Sequence, residues 1–244
     1  MFESKEATNK AVAEFIIAIA EQSIKTNGKF TLSLSGGQTP ANLYKLMSDP
    51  QYSSRMPWQH TFIFWGDERC VPSDDKRNNA NMAKALLLDH ISIPSININA
   101  IPVELEPRKA AEEYESTIKQ FFGEEQPSFD LILLGLGENG HTASLFPGTD
   151  VVFENKRLVK ELYVTDQNMF RITMTPLLIN KAHNIIFLVE GKNKAEILNE
   201  VLSPEQADKF PAQVIKPKHG NLYWFVDEKA AAFLPINMRQ QNGV

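Results

Sequence analysis

Apolar positions along the chain fall into two alternating kinds of run. Short, nearly unbroken apolar stretches occur at FTLSL (30–34), TFIFW (61–65), FDLILL (129–134), FRITM (170–174), NIIFLV (184–189) and LYWFV (222–226). Their length and their β-branched and aromatic content predict strands. Between many of them the apolar residues return every three or four positions, which predicts helices over 7–26, 40–47, 77–89, 107–122 and 192–202. Strands that are apolar on both sides need cover on both faces. The pattern therefore predicts an α/β protein, a mostly parallel sheet with helices on both faces in a Rossmann-like arrangement. Pro94, Pro102 and Pro107 punctuate a loop-rich middle, but no repeat or low-complexity linker divides the chain. A single domain over 1–244 is expected, its last residues a loose tail.

In open α/β sheets, ligands gather beyond the carboxyl ends of the strands. Three motif-bearing loops, at 35–40, 66–72 and 135–148, follow predicted strands directly. The first reads SGGQTP. Thr39 suits a helix N-cap and Pro40 the first helical position, where its missing N–H costs nothing. Leu43, Leu46 and Met47 then share one helical face. Gly36 and Gly37, after Ser35, can leave backbone N–H groups bare at the helix entrance, where an anion is best held. A plain strand-to-helix turn would use the same residues; the company of two further motif loops favours the functional reading.

The third loop, GLGENGHTASLFPGT, satisfies G-x-G-x-x-G through Gly135, Gly137 and Gly140. That match is weak by itself, and FPG at 146–148 stops any helix sooner than a dinucleotide site wants. His141 is more informative. It follows the last glycine, where a short helix is expected to begin, and histidine is the usual general base near neutrality. The structural alternative is a hydrogen-bonded turn histidine. The second loop, FWGDERCVP, presents Asp67, Glu68 and Arg69 at a strand end. It is either a solvated turn with one salt bridge or a site in which Arg69 meets an anion and the acids hold it in place. Asn78 or Asn79 reads as the cap of the next helix.

Composition narrows the function without choosing it. The 244 residues are 43% hydrophobic and 23% charged, ordinary for a globular protein, and the net charge of −5 argues against a nucleic-acid surface. Cys70 is the one cysteine, which excludes an internal disulfide and a thiolate metal cluster. The run AVAEFIIAIA contains Glu14 and is flanked by Lys10 and Glu21, too short and too charged to span a bilayer or act as a signal sequence. No membrane partner is expected, and the cytoplasm is the default location.

Taken in order, SGGQTP, WGDERCVP, GLGENGHTASLFPGT, RITMT and PAQVIKPKHGNLYWFVD resemble the 6-phosphogluconolactonases, over about Ala7 to Ala232. The resemblance implies the fold shared with glucosamine-6-phosphate deaminases and ribose-5-phosphate isomerase. It also implies hydrolysis of a phosphorylated sugar lactone, 6-phospho-D-glucono-1,5-lactone, by a monomer with no cofactor and no metal. By position, Ser35, Gly36, Gly37 and Thr39 would line the phosphate end, Arg69 would bind substrate beside Asp67, and Lys216 would stand near the phosphate. Arg171 would be a pocket residue, with a strand-end salt bridge as its structural alternative, and His141 the base that activates water. The chain departs from the common pattern at Asn139, where many relatives carry Asp before Gly-His. A deaminase-type enzyme is the rival reading, but its catalytic loop needs carboxylates where this chain has Asn139 and Phe146. A sugar-phosphate-sensing domain is a second rival; it would carry a helix-turn-helix module, and the stretch before Phe30 reads as one helix.

Overall fold

The computed structural model describes residues 1–203, 205 and 209–239. Strands β1 (Phe30–Leu34), β2 (Thr61–Trp65), β4 (Leu131–Leu134), β7 (Asn184–Val189) and β8 (Asn221–Val226) form a parallel sheet in the order β2-β1-β4-β7-β8. A smaller antiparallel sheet holds β3 (Asp67–Arg69), β5 (Val159–Val164) and β6 (Met169–Met174) in the order β3-β6-β5. The helices are α1 (Lys5–Asn27), α2 (Gln38–Met47), α3 (Pro50–Ser53), α4 (Asn79–Leu86), α5 (Pro107–Phe122), α6 (Pro176–Ile179) and α7 (Ala195–Leu202).

Every residue of β1, β4 and β7 is buried, as unbroken apolar strands covered on both faces require. Phe15 of α1 packs edge-on against Tyr223 and tilted against Phe225 of β8. Phe121 and Phe122 of α5 pack with Phe62, Phe64 and Phe129. Buried apolar residues from Val12 to Leu234 join in one cluster.

The predicted parallel sheet is present, with differences that have local causes. FRITM belongs to the smaller sheet rather than the central one. The sequence pattern missed β3, which is three polar residues long, and β5, whose middle residues are only half-buried or exposed. Helix α2 starts at Gln38, so Thr39 is not its cap and Pro40 is its third residue. Proline is tolerated there because the first four helical N–H groups have no intrahelical partner. The helix expected over 192–202 begins as a 3₁₀ turn and becomes α-helical at Ala195. Residues 240–244, read as a loose tail, lie outside the described residues.

The strand order sets the place of a ligand. From β1 the chain moves outward to β2 on one side, while β4, β7 and β8 lie on the other. The loops leaving β1 and β4 therefore part, opening a crevice at the carboxyl edge of the sheet. Two buried tyrosines hold that edge. The Tyr44 hydroxyl donates to Ser35 O at 2.6 Å and accepts from Ser35 N at 2.9 Å. The Tyr114 hydroxyl accepts from Trp65 N at 2.8 Å and donates to Trp65 O at 3.0 Å. Burial pushes both phenols above their ordinary pKa, so they stay neutral.

Candidate active site

A cavity of about 770 Å³ fills the crevice. One wall is the turn after β1, where Ser35, Gly36, Gly37 and Thr39 all line the space. Gly37 has φ +101°, a conformation open to glycine, and it precedes α2 with no side chain capping the helix. The N–H groups at that entrance thus have no side-chain cap, and the expected cap, Thr39, is inside the helix. Gly36 is required for another reason. A Cβ there would stand 1.9 Å from Asn79 Oδ1. Asn79 fills that space and donates from Nδ2 to Asp67 O at 2.9 Å, whereas Asn78 is the cap of α4, accepting from Asn81 N.

The facing wall is the β3–β6 pair. In register, Arg69 opposes Arg171 and Asp67 opposes Thr173. Side chains two apart on a strand share a face, so Asp67, Arg69 and Arg171 are presented together. Asp67 offsets the two like charges. Its Oδ2 lies 3.7 Å from Arg171 Nη1 and accepts from Ser144 Oγ at 2.6 Å. Arg171 also donates to Gln167 Oε1, and its guanidinium sits 5.8 Å from the Phe146 ring centre. Arg69 donates to Arg77 O at 2.6 Å. The Nε atoms of both arginines are buried and have no hydrogen-bond partner among the described residues. Glu68 points the other way. Its carboxyl accepts from the N–H groups of Arg69, Asn79 and Ala80, so it secures β3 to the start of α4. Burial pushes Glu68 up to about 7, against those three bonds.

The loop after β4 supplies His141. The helix expected to begin there does not form; the stretch to Phe146 is a sequence of turns, with Ala143 at φ +47°. Gly137 N donates to His141 O at 2.8 Å, and Gly140 N to Gly137 O at 3.0 Å. Asn139 Oδ1 receives His141 N at 3.2 Å and His141 Nδ1 at 2.5 Å. The backbone N–H of His141 identifies that atom as the amide oxygen, an acceptor only, so the Nδ1 that also meets it carries the proton. The lone pair is then on Nε2, the arrangement a general base needs. Phe146 stacks on the imidazole with ring centres 4.4 Å apart. Burial pushes His141 down to about 4, helped by Arg171, Lys194 and Arg69 and opposed by Asp67. At neutral pH the ring is uncharged.

The cavity contains cations that the sequence reading passed over. Lys5 of α1 and Lys194, after β7, line it together with Glu190 and Asn193. Asn193 Nδ2 donates to Glu138 Oε1 at 2.7 Å, tying the β7 loop to the histidine loop. Burial lowers the Lys194 ammonium from its ordinary value. The strand-end rule that found residues 35–40 would also have found EGKNK after NIIFLV.

Lys216 is a correction. It lines a separate cavity of about 630 Å³ with Ser128, His183 and His219. Those residues precede β4, β7 and β8, which places the cavity at the amino edge of the sheet. Lys216 stands at that edge, away from the cavity that holds His141. Among the described residues no group of three or more His, Cys, Asp or Glu is placed to hold a metal ion, and no described helix is long and apolar enough to cross a membrane.

Known proteins share this sequence and shape. A 6-phosphogluconolactonase of Nostoc sp. is 38% identical over 228 residues, covering 91% of this chain and 92% of that one. The structure of 6-phosphogluconolactonase from Trypanosoma cruzi superposes with a TM-score of 0.85 at 28% identity, covering 95% and 94% of the two chains. A monomeric glucosamine-6-phosphate deaminase shares the fold at a TM-score of 0.81 and 20% identity, covering 94% and 97%. The profile of the Glucosamine-6-phosphate isomerases/6-phosphogluconolactonase family matches residues 3–224, and the chain belongs to that family.

Proposed function

We propose that the protein hydrolyses 6-phospho-D-glucono-1,5-lactone to 6-phospho-D-gluconate, the lactonase step of the oxidative pentose phosphate pathway. The observation that carries this reading is the Asn139–His141 pair, which holds the proton on Nδ1 and frees Nε2 at the edge of a cation-lined cavity. In the proposed step Nε2 takes a proton from water as its oxygen attacks the lactone carbonyl. The tetrahedral intermediate collapses by breaking the bond to the ring oxygen, which takes a proton back from the imidazolium and leaves as a hydroxyl. Arg69 and Arg171, each with an unused Nε donor, face the charge that develops on the carbonyl oxygen. A positioned base contributes about 10²–10⁴-fold, and a lactone asks for little beyond that and orientation.

The family's other activity is less well served here. Asn139 is an amide and Phe146 a phenyl ring stacked on His141, so neither can relay protons through a ring-opening sequence. A monomer is the proposed working unit, and the cytoplasm is the proposed compartment. Purified protein should consume freshly generated lactone faster than buffer does and leave glucosamine 6-phosphate untouched. A rate equal to buffer alone overturns the assignment.

A further inference from the structure

Glu190, the residue after β7, is a buried carboxyl that no step above uses. It is 4% exposed, yet it lines the cavity. Its Oε1 accepts from Asn9 Nδ2 of α1. Its Oε2 is buried and has no hydrogen-bond partner among the described residues. A buried polar atom left unpaired is costly, which points to a partner that arrives with the ligand.

The surroundings say which part of the ligand that is. Gly37 and Gln38 at the start of α2 line the same cavity, and Asn42, one turn into that helix, acts on the Glu190 carboxyl. Lys5 Nζ lies 3.7 Å from where a Cβ on Gly191 would stand, so an ammonium flanks the neighbouring residue. Lys194 follows three positions on. An uncapped helix entrance and two ammonium groups are the setting for a phosphate dianion. A carboxylate at that place would repel it, unless the carboxyl brings a proton.

On the lactonase reading, we propose that Glu190 is a substrate-contacting residue whose protonated carboxyl donates from Oε2 to a phosphate oxygen, so that sugar-phosphate binding takes up a proton. The charges around it agree. Burial pushes Glu190 up to about 7; Asn9, Lys5 of α1 and Asn42 of α2 pull the other way, and Asp227, after β8, adds to the rise. The arrival of a dianion raises it further, since a like charge disfavours ionisation.

Calorimetric titration of the intact protein with 6-phosphogluconate, in buffers of differing ionisation enthalpy, tests this. At pH 8 the native protein should take up close to one proton per ligand bound. With a carboxyl pKa of about 7, Kd should rise about 30-fold between pH 6 and pH 8.5. Glu190→Gln keeps an acceptor for Asn9 and a permanent donor in place of Oε2, so it should bind at pH 8.5 as tightly as at pH 6 once the ligand's own ionisation is subtracted. Glu190→Ala has no donor and should bind weakly at every pH. Equal proton uptake by the native protein and both variants overturns the proposal, as does a Glu190→Gln profile parallel to the native one. Lactone turnover measured on the same samples keeps the two readings apart. Turnover without a Glu190-dependent proton overturns this role alone, and a Glu190-dependent proton without turnover leaves this role standing and removes the lactonase assignment.

Discussion

Gly137→Ala probes His141 without substituting it. A Cβ at residue 137 would stand 2.0 Å from His141 Nδ1, 2.1 Å from Cε1 and 2.7 Å from Cγ. Ordinary contact begins at 3.4 Å, so the ring must move by well over 1 Å. Gly137 has no positive φ, and its backbone accepts alanine without strain. The displaced ring loses its bond to Asn139 and its stack on Phe146. A misplacement of about 1 Å costs about 10²-fold in rate, and the whole contribution of a general base is about 10²–10⁴-fold. We therefore expect kcat to fall by about 10²-fold or somewhat more. Stability should hardly change: losing one half-exposed hydrogen bond costs about 0.5–1.5 kcal/mol, and replacing glycine returns about 0.4–1 kcal/mol through the unfolded chain. The assay is kcat on freshly made lactone beside a thermal melt, repeated on Gly137→Ala combined with His141→Ala. With alanine at 141 the clash disappears, so the double variant should be no slower than His141→Ala alone. A near-normal kcat in Gly137→Ala, or losses that multiply in the double variant, would refute the assignment of His141 as base in this orientation.

His141→Ala should lower kcat by about 10²–10⁴-fold and leave 6-phosphogluconate binding nearly intact; a normal rate excludes the base. Because the imidazole is held down to about 4 and works unprotonated, kcat should be flat through neutrality and fall only as pH drops toward that value. Asn139→Asp replaces an amide by a carboxylate that favours the imidazolium, so the acidic limb should move to higher pH; an unmoved limb means residue 139 does not sense the histidine. Lys194→Ala should raise KM for the phosphorylated lactone more than for gluconolactone, whereas Lys216→Ala, at the opposite edge of the sheet, should leave kcat/KM unchanged; the reverse outcome would move the phosphate site. Activity should survive EDTA, since the proposed step draws on His141 and the arginines; loss that returns with added metal would refute a metal-free step.

What was legible in the sequence depended on how far each residue's partners lie along the chain. β1, β4 and β7 could be read because burial on both faces leaves an unbroken apolar run, a signal complete within the segment. The pairing of Asn139 with His141 spans two residues and sits in a glycine-rich turn, so the histidine stood out at once. β3 was illegible as a strand because its three polar residues are stabilised from elsewhere. Asp67 needs Ser144 and Arg171, and Glu68 needs the N–H groups of Asn79 and Ala80. No local pattern announces partners 11 to 104 positions away. Arg171 reaches the cavity only because β6 pairs with β3.

Lys194 and Lys216 show how the same topology sorts right from wrong candidates. Both are lysines near the ends of the second half of the sheet, and composition cannot separate them. Direction can. In a parallel sheet, residues that follow a strand are delivered to one edge and residues that precede a strand to the other. Residues 35–39 follow β1, 67–69 follow β2, 139–141 follow β4, and 190–194 follow β7; all four groups contribute to the cavity. Lys216 precedes β8 and faces the amino edge. The helical periodicity over 192–202 includes Lys194, yet the α-helix starts only at Ala195, leaving the lysine at its entrance. A cation there has a short route to a ligand held at the start of α2, because β7 is separated from β1 only by β4. On the proposed reading, the charge that meets the phosphate is thus selected by strand direction and strand order before any side-chain detail is considered.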